Sequence, residues 1–201
     1  MKHFYDFFNK YPQKEIPFYV NGPMIEKVTE VYSHHSSELI IPQAQWKEII
    51  DWTKWISWPK QEKKLWKSQG PYIIMAASGM MSGGKIVQVL SHFANEPKNH
   101  LAIVGYQAEQ TPGRLIQEGL KTFKIGEEEI TINCHVHDLP LFSAHADQSE
   151  LVGFVKNLNS PNLSIFLGHG TDQARRDLSE VLSRELNLKP MIPHVGEVFQ
   201  I

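Results

Sequence analysis

Two spacings of apolar residues alternate along this chain: a recurrence every three to four positions, the repeat of a helix face, and short unbroken or alternating runs that mark strands. Phe4, Phe7, Phe8 and Tyr11 share one helical face within residues 1–15, and Pro12 breaks that helix. Ile16-Pro17-Phe18-Tyr19-Val20 is a β-type run closed by Asn21-Gly22, after which Pro23 is well placed as the first residue of a helix reaching about His35. Between Ser36 and Trp58 the pattern is mixed. Trp46, Ile49, Ile50 and Trp52 predict a short helix, Lys54 to Trp58 a brief strand, and Pro59 starts another helical piece over 61–68.

Gly70-Pro71 resets the chain into Tyr72 to Ala77, a near-continuous apolar run of the kind found in strands buried on both faces. It leads through Ser78-Gly79-Met80-Met81-Ser82-Gly83-Gly84-Lys85 into a helical pattern carried by Ile86, Val87, Val89, Leu90 and Phe93. A strand over Leu101 to Val104 follows, and Thr111-Pro112 opens a helix containing Arg114. Strands alternating with helices predict an α/β fold with a doubly wound, mostly parallel sheet. After Thr122 the pattern changes to a hairpin over 123–132, continued by alternating strand material from Asn133 to Leu141. Then come a helix over 148–158, a linker at 159–161, a strand from Leu163 to Leu167, a loop at 168–171 and a helix over 172–187. A final strand pair is expected around Met191-Ile192 and Val198-Phe199.

Composition narrows the classes. Apolar residues make up 41% and charged ones 21% of 201 residues, enough for a real core. A net charge of −2 provides no global basic field, so any anion site is local. The single cysteine, Cys134, excludes an intramolecular disulfide and thiolate zinc clusters and fits a reducing compartment. No stretch has the length of a signal-peptide core or a membrane span, which makes the cytoplasm the expected location, with no membrane partner. Five tryptophans fall between 46 and 66; they read as core or interface anchors, the alternative being a stacking platform for a base.

Four stretches could carry chemistry. Phe142-Ser143-Ala144-His145-Ala146-Asp147-Gln148 puts a histidine and an acid two residues apart where an apolar run gives way to a helix; Asp147 or Ser143 would also serve as its N-cap. The Ser78–Lys85 loop, small residues between a strand and a helix N-terminus, exposes backbone N–H groups that suit a phosphate, although a tight turn needing glycine explains it equally. It is not a P-loop, since Ile86 stands where GxxxxGK[ST] requires Ser or Thr. His135 and His137 point to one face of a strand, but two ligands make a poor metal site and read as surface. Gly168-His169-Gly170 places a histidine just past a strand, where it could bind metal, accept a proton or cap a helix.

Taken together, residues 16–32 (IPFYVNGPMIEKVTEVY), 70–90 (GPYIIMAASGMMSGGKIVQVL), 104–116 (VGYQAEQTPGRLI), 141–151 (LFSAHADQSEL) and 166–178 (FLGHGTDQARRDL) resemble the C-terminal half of the metallo-β-lactamase-fold RNA nucleases with a β-CASP domain, the group of ribonuclease J and the pre-mRNA 3′-end cleavage endonuclease. The resemblance implies a β-CASP domain over 1–134, and over 135–201 the strands and helices that complete a metallo-β-lactamase αββα domain. His145 would then protonate the leaving oxygen at the scissile phosphate, His169 would ligate one of two zinc ions, and Ser78, Gly79, Ser82, Gly83, Gly84 and Ser143 would hold substrate phosphate. The substrate would be RNA, cut in endo- or exonuclease mode.

The family's HxHxDH loop, its later zinc ligands and its acidic first β-CASP motif have no equivalent here. The expectation is therefore a fragment or split half of a zinc-dependent RNA-processing nuclease, inactive alone, not binding zinc stably by itself, and working with a separate N-terminal metallo-β-lactamase half. The alternative is a non-catalytic RNA-binding or assembly module using the phosphate loop and the basic stretch Lys54–Lys67. A third reading is a remnant without activity. An uncovered apolar sheet face in 135–201 would make the chain a homo-oligomer or hold a partner.

Overall fold

A computed structural model describes the chain except at residues 126–127, 140–141, 143–144, 159, 161–162 and 200–201. The chain divides into two compact units, Met1–Ser143 and Ala144–Ile201. The fold is α/β with mostly parallel strand pairing, as the alternating pattern predicts.

In the first unit, α1 (Lys2–Lys10) carries the aromatic face. Phe4 and Phe8 converge with Phe18 and Trp52, the Phe18 and Trp52 rings stacking at 5.3 Å. β1 (Phe18–Asn21) is the middle strand of a parallel sheet between β2 (Lys54–Ile56) and β3 (Ile73–Ala76), with Val20 opposite both Trp55 and Met75. The sheet corrects one expectation. The apolar run at Tyr72–Ala77 is only half-buried, because β3 ends the strand order, while β1, flanked on both sides, holds the fully buried Val20 and Asn21. Helices α2 (Pro23–His34), α3 (Gln43–Trp52) and α4 (Pro59–Trp66) connect these strands, and α2 and α4 each begin at the expected proline. Four of the five tryptophans act as anchors: Trp46 is buried, and Trp52, Trp55 and Trp66 are half-buried. Trp58 is the exception, 69% exposed.

The second half of this unit is built around α5 (Lys85–Phe93), β4 (His100–Ile103), α6 (Pro112–Gln117), the antiparallel pair β5 (Thr122–Ile125) and β6 (Glu128–Thr131), and β7 (His135–Asp138). Met81, Leu90, Ile103, Ile116, Ile130 and Ile132 are among the buried residues of its core, each aliphatic side chain worth about 1.5–3 kcal/mol on burial. Cys134 belongs to this core, and burial pushes its thiol pKa up. The strand material after the hairpin does not extend it. β7 runs parallel to β4 instead, His100 opposite His135 and Ile103 opposite Asp138, so Val136 faces the same core.

The second unit contains α7 (Gln148–Asn157), α8 (Asp172–Leu186) and little strand structure. α7 packs on α8. Among the described residues the expected strand at 163–167 and the final strand pair reduce to one parallel bridge, Phe166 to Met191, with Leu167 N–H donating to Met191 O at 2.8 Å and Met191 N–H to Ile165 O at 2.8 Å. Phe199 contributes a ring against Phe166 at 5.0 Å rather than a strand.

Candidate functional site

The strand–loop–helix passage at Ser78–Lys85 lies at the carboxyl end of β3, in the first unit. Met81 anchors it: its side chain is 3% exposed within the core, its backbone takes φ +60°, and its N–H donates to Ser78 O at 3.1 Å. Gly84 caps α5 with φ +74°, and a Cβ there would sit 3.3 Å from Ala77 O, so both backbone conformation and space favour glycine. Gly79 and Gly83 have open space around them. Ile86 N–H is spent on Ala77 O at 2.6 Å. The amides of Gly79, Ser82, Gly83 and Gly84 and the hydroxyls of Ser78 and Ser82 have no hydrogen-bond partner among the described residues. A loop of outward donors at a helix N-terminus can hold an anion.

The local cation is already engaged. Lys85 Nζ donates to Glu62 Oε1 at 2.6 Å and to Gln88 Oε1 at 3.2 Å, and Asn21 Nδ2 donates to Glu62 Oε1 at 3.1 Å. Two buttresses went unread in the sequence. Gly113 N–H donates to Met80 O at 3.1 Å, which seats the start of α6 on the loop. A Cβ at Gly113 would meet Gln107 Oε1 at 1.8 Å. Gln107 is buried, donates to the Gly105 and Tyr106 carbonyls at 3.1 Å each, and its Oε1 has no partner among the described residues. The glycine inside a helical pattern was the available signal.

The histidine candidates His145 and His169 belong to the second unit. His145 is exposed in a bend two residues before Asp147, the N-cap of α7. Asp147 closes a full capping box: its carboxylate accepts from Glu150 N–H at 2.9 Å and from Ser149 Oγ at 2.7 Å, while its own N–H donates to Glu150 Oε2 at 2.9 Å. The hydrogen bond from Ser149, then that from the Glu150 amide, hold the Asp147 carboxyl below its ordinary pKa. Ser143 lies outside the described residues. His169 is exposed with φ +66°, followed by Gly170 at φ +83° and by Thr171, whose Oγ1 caps α8 by accepting from Ala174 N–H at 3.2 Å. Among the described residues no atom lies within 4 Å of a Cβ built at Gly168 or Gly170, so no backbone approaches them closely, and Gly170 serves the turn through its φ of +83°.

His135 and His137 are exposed on β7, and a third histidine joins them across the strand pair: His100 stacks on both at 5.0 and 5.1 Å, and its Nδ1 lies 2.9 Å from His137 Nε2. Among the described residues no three His, Cys, Asp or Glu side chains come together as a metal site requires, whether at His169 or at this stack.

The first unit is a parallel α/β unit with an outward donor loop at a strand's carboxyl end, the place where ligands of open α/β sheets commonly bind. The model of the β-CASP domain matches residues 2–116, and that of the Zn-dependent metallo-hydrolase RNA specificity domain matches residues 129–193. The chain belongs to the β-CASP metallo-β-lactamase family. It is 32% identical over 187 residues to transcription termination factor FttA of Methanosarcina mazei, covering 87% of this chain and 29% of the relative. Ribonuclease TTHA0252 of Thermus thermophilus is 30% identical over 179 residues, covering 83% and 39% respectively. An RNase J-like protein of Methanocaldococcus jannaschii is 28% identical over 190 residues, covering 94% and 44%. The chain thus spans less than half the length of these relatives. No helix among the described residues is long and apolar enough to cross a membrane.

Proposed function

We propose that this chain is the RNA-handling portion of a zinc-dependent RNA-processing nuclease. The supporting observation is the Ser78–Gly84 loop, whose outward amides and hydroxyls are unspent and whose shape is fixed by Met81, Gly84 and Gly113. Ser78, Gly79, Ser82, Gly83 and Gly84 hold phosphate, with Ser143 assigned beside them on the family resemblance, and His145, on a rigidly capped turn, donates the proton to the leaving oxygen. Residues 1–134 act as the β-CASP domain and 135–201 as part of the metallo-β-lactamase domain. Zinc would supply an activated water. The described residues do not assemble a zinc site, so His169 ligates metal only with ligands from further polypeptide, and cleavage requires that polypeptide. Association of copies or of a partner covers the exposed Leu151 and Phe154 of α7 and Leu158 at its C-terminal cap, and the setting is cytoplasmic. The second reading, an RNA-binding module, is carried by Lys60, Lys63 and Lys64 of α4, which make no ion pair among the described residues.

The test is to titrate single-stranded RNA onto the chain over a range of salt and to assay zinc content and cleavage with added Zn or Mn. Salt-sensitive binding with substoichiometric zinc and no cleavage is expected. Absence of RNA binding at low salt overturns the reading; stoichiometric zinc with cleavage overturns the requirement for further polypeptide.

A further inference from the structure

Beside the phosphate loop lies a second crevice, at the carboxyl ends of β1 and β2, where ligands of parallel α/β sheets commonly bind. Glu26 of α2, Ser57, Trp58, Glu62 and Lys85 line its cavity of about 210 Å³. That is below the roughly 300–1,000 Å³ of a cleft for a drug-sized molecule, and on the scale of one flat ring system.

Its chemistry is uneven. Glu62 is neutralised by Lys85 and tied to Asn21, a fully buried residue whose Oδ1 has no partner among the described residues. Glu26 accepts from Ser57 Oγ through Oε1 at 2.7 Å, which leaves Oε2 available. Trp58 stands at the mouth, 69% exposed, its indole N–H without a hydrogen-bond partner among the described residues. Its backbone is nevertheless held: Gln61 Oε1 accepts from Ser57 N–H at 2.9 Å and from Trp58 N–H at 3.0 Å. A large exposed ring on a pinned backbone is a preorganised stacking surface. Next to it, the exposed Lys60, Lys63, Lys64 and Lys67 make no ion pair among the described residues, and the only acid of α4 is the neutralised Glu62. In a chain of net charge −2, this is a local basic strip against an aromatic platform.

We propose that this crevice is a base subsite for single-stranded RNA with a preference for guanine, an inference that rests on the RNA-handling reading above. Trp58 stacks on the base, the Glu26 carboxylate accepts from the guanine N1–H and N2–H₂ edge, and the lysines of α4 follow the adjoining phosphates. A cationic ligand would also find an aromatic ring beside a carboxylate, but the four neighbouring lysines repel it.

The test uses the full chain and fluorescent ten-nucleotide RNAs, all-U and all-U with one central G. Wild type should bind the G-containing RNA several-fold more tightly. Trp58→Ala should weaken binding of both about tenfold and Trp58→Phe less, the expected scale for losing one base stack. Glu26→Gln should abolish the preference for G. Replacing both Lys63 and Lys64 by Gln should lower the slope of log affinity against log salt by about 1.4, at about 0.7 per phosphate contact on single strands. Thermal melts of each variant establish that it is folded. Tight binding of both RNAs by wild type that Trp58→Ala and Glu26→Gln leave unchanged overturns the subsite while the RNA reading stands. If wild type binds neither RNA at low salt, the RNA reading itself fails; displacement of RNA by arginine methyl ester at equal concentration would reassign the crevice to cations.

Discussion

The two units differ most in what lies inside them. The first buries a continuous set of aliphatic residues beneath α5, β4, α6, the hairpin and β7, together with an aromatic cluster around Phe18 and Trp52. In the second, Val152 and Leu182 are the only buried side chains among the described residues. Each unit offers a candidate functional turn, but the turns are held differently. The Ser78–Gly84 loop is fastened by a core residue, Met81, and by α6 docking through Gly113. The His145 and His169 turns lead into helix caps, Asp147 and Thr171. A phosphate loop can therefore be shaped by the first unit itself, whereas the histidine turns are locally ordered on a thinly packed support.

The largest test of this contrast is a cavity in each unit. Ile132→Ala should cost about 2–5 kcal/mol in urea denaturation, since its side chain is fully buried. Leu182→Ala should speed amide hydrogen exchange in α7 and α8 while β1 and β4 stay protected. Equal loss of protection in both units would show that they unfold together and break the comparison. Next in size, Gly113→Ala should cost about 1–3 kcal/mol, because the methyl group meets the buried Gln107 Oε1, and should disturb the loop through Met80.

Smaller effects belong to the second unit. His169→Gly removes a left-handed φ strain of about 1–2 kcal/mol but adds freedom to the unfolded chain worth about 0.4–1, so a net gain of about 0.5 kcal/mol is expected in thermal melts. Asp147 gives a pH dependence. Its folded pKa is depressed, so its stabilisation is present above the unfolded carboxylate value and is lost as pH falls through the folded value. Protection factors at the start of α7, corrected for intrinsic exchange, should fall at the acid end of the carboxylate range, and Asp147→Asn should flatten that dependence.

Much of this was legible in the sequence. The prolines at 23, 59 and 112 announced helix starts, the apolar runs announced β1, β3 and β4, and the Ala-Asp-Gln junction announced the cap of α7. What escaped was long-range. Periodicity could not reveal that β7 leaves the hairpin to pair with β4, or that β1 rather than β3 is the central strand, because pairing partners are set by tertiary packing. The same limit hid the Lys85–Glu62 pair, which joins residues 23 positions apart, and the seat of Gly113 on Met80. Trp58 was distinguishable from its four buried or half-buried neighbours only once their contacts were in view.

The central claim is that the loop after β3 binds RNA phosphate. The direct measurement is amide NMR of the isotope-labelled chain during titration with single-stranded RNA. The amides of Gly79, Ser82, Gly83 and Gly84 should shift saturably, and the shifts should fall away as salt rises. Saturable RNA binding that leaves all four amides unmoved would contradict the account.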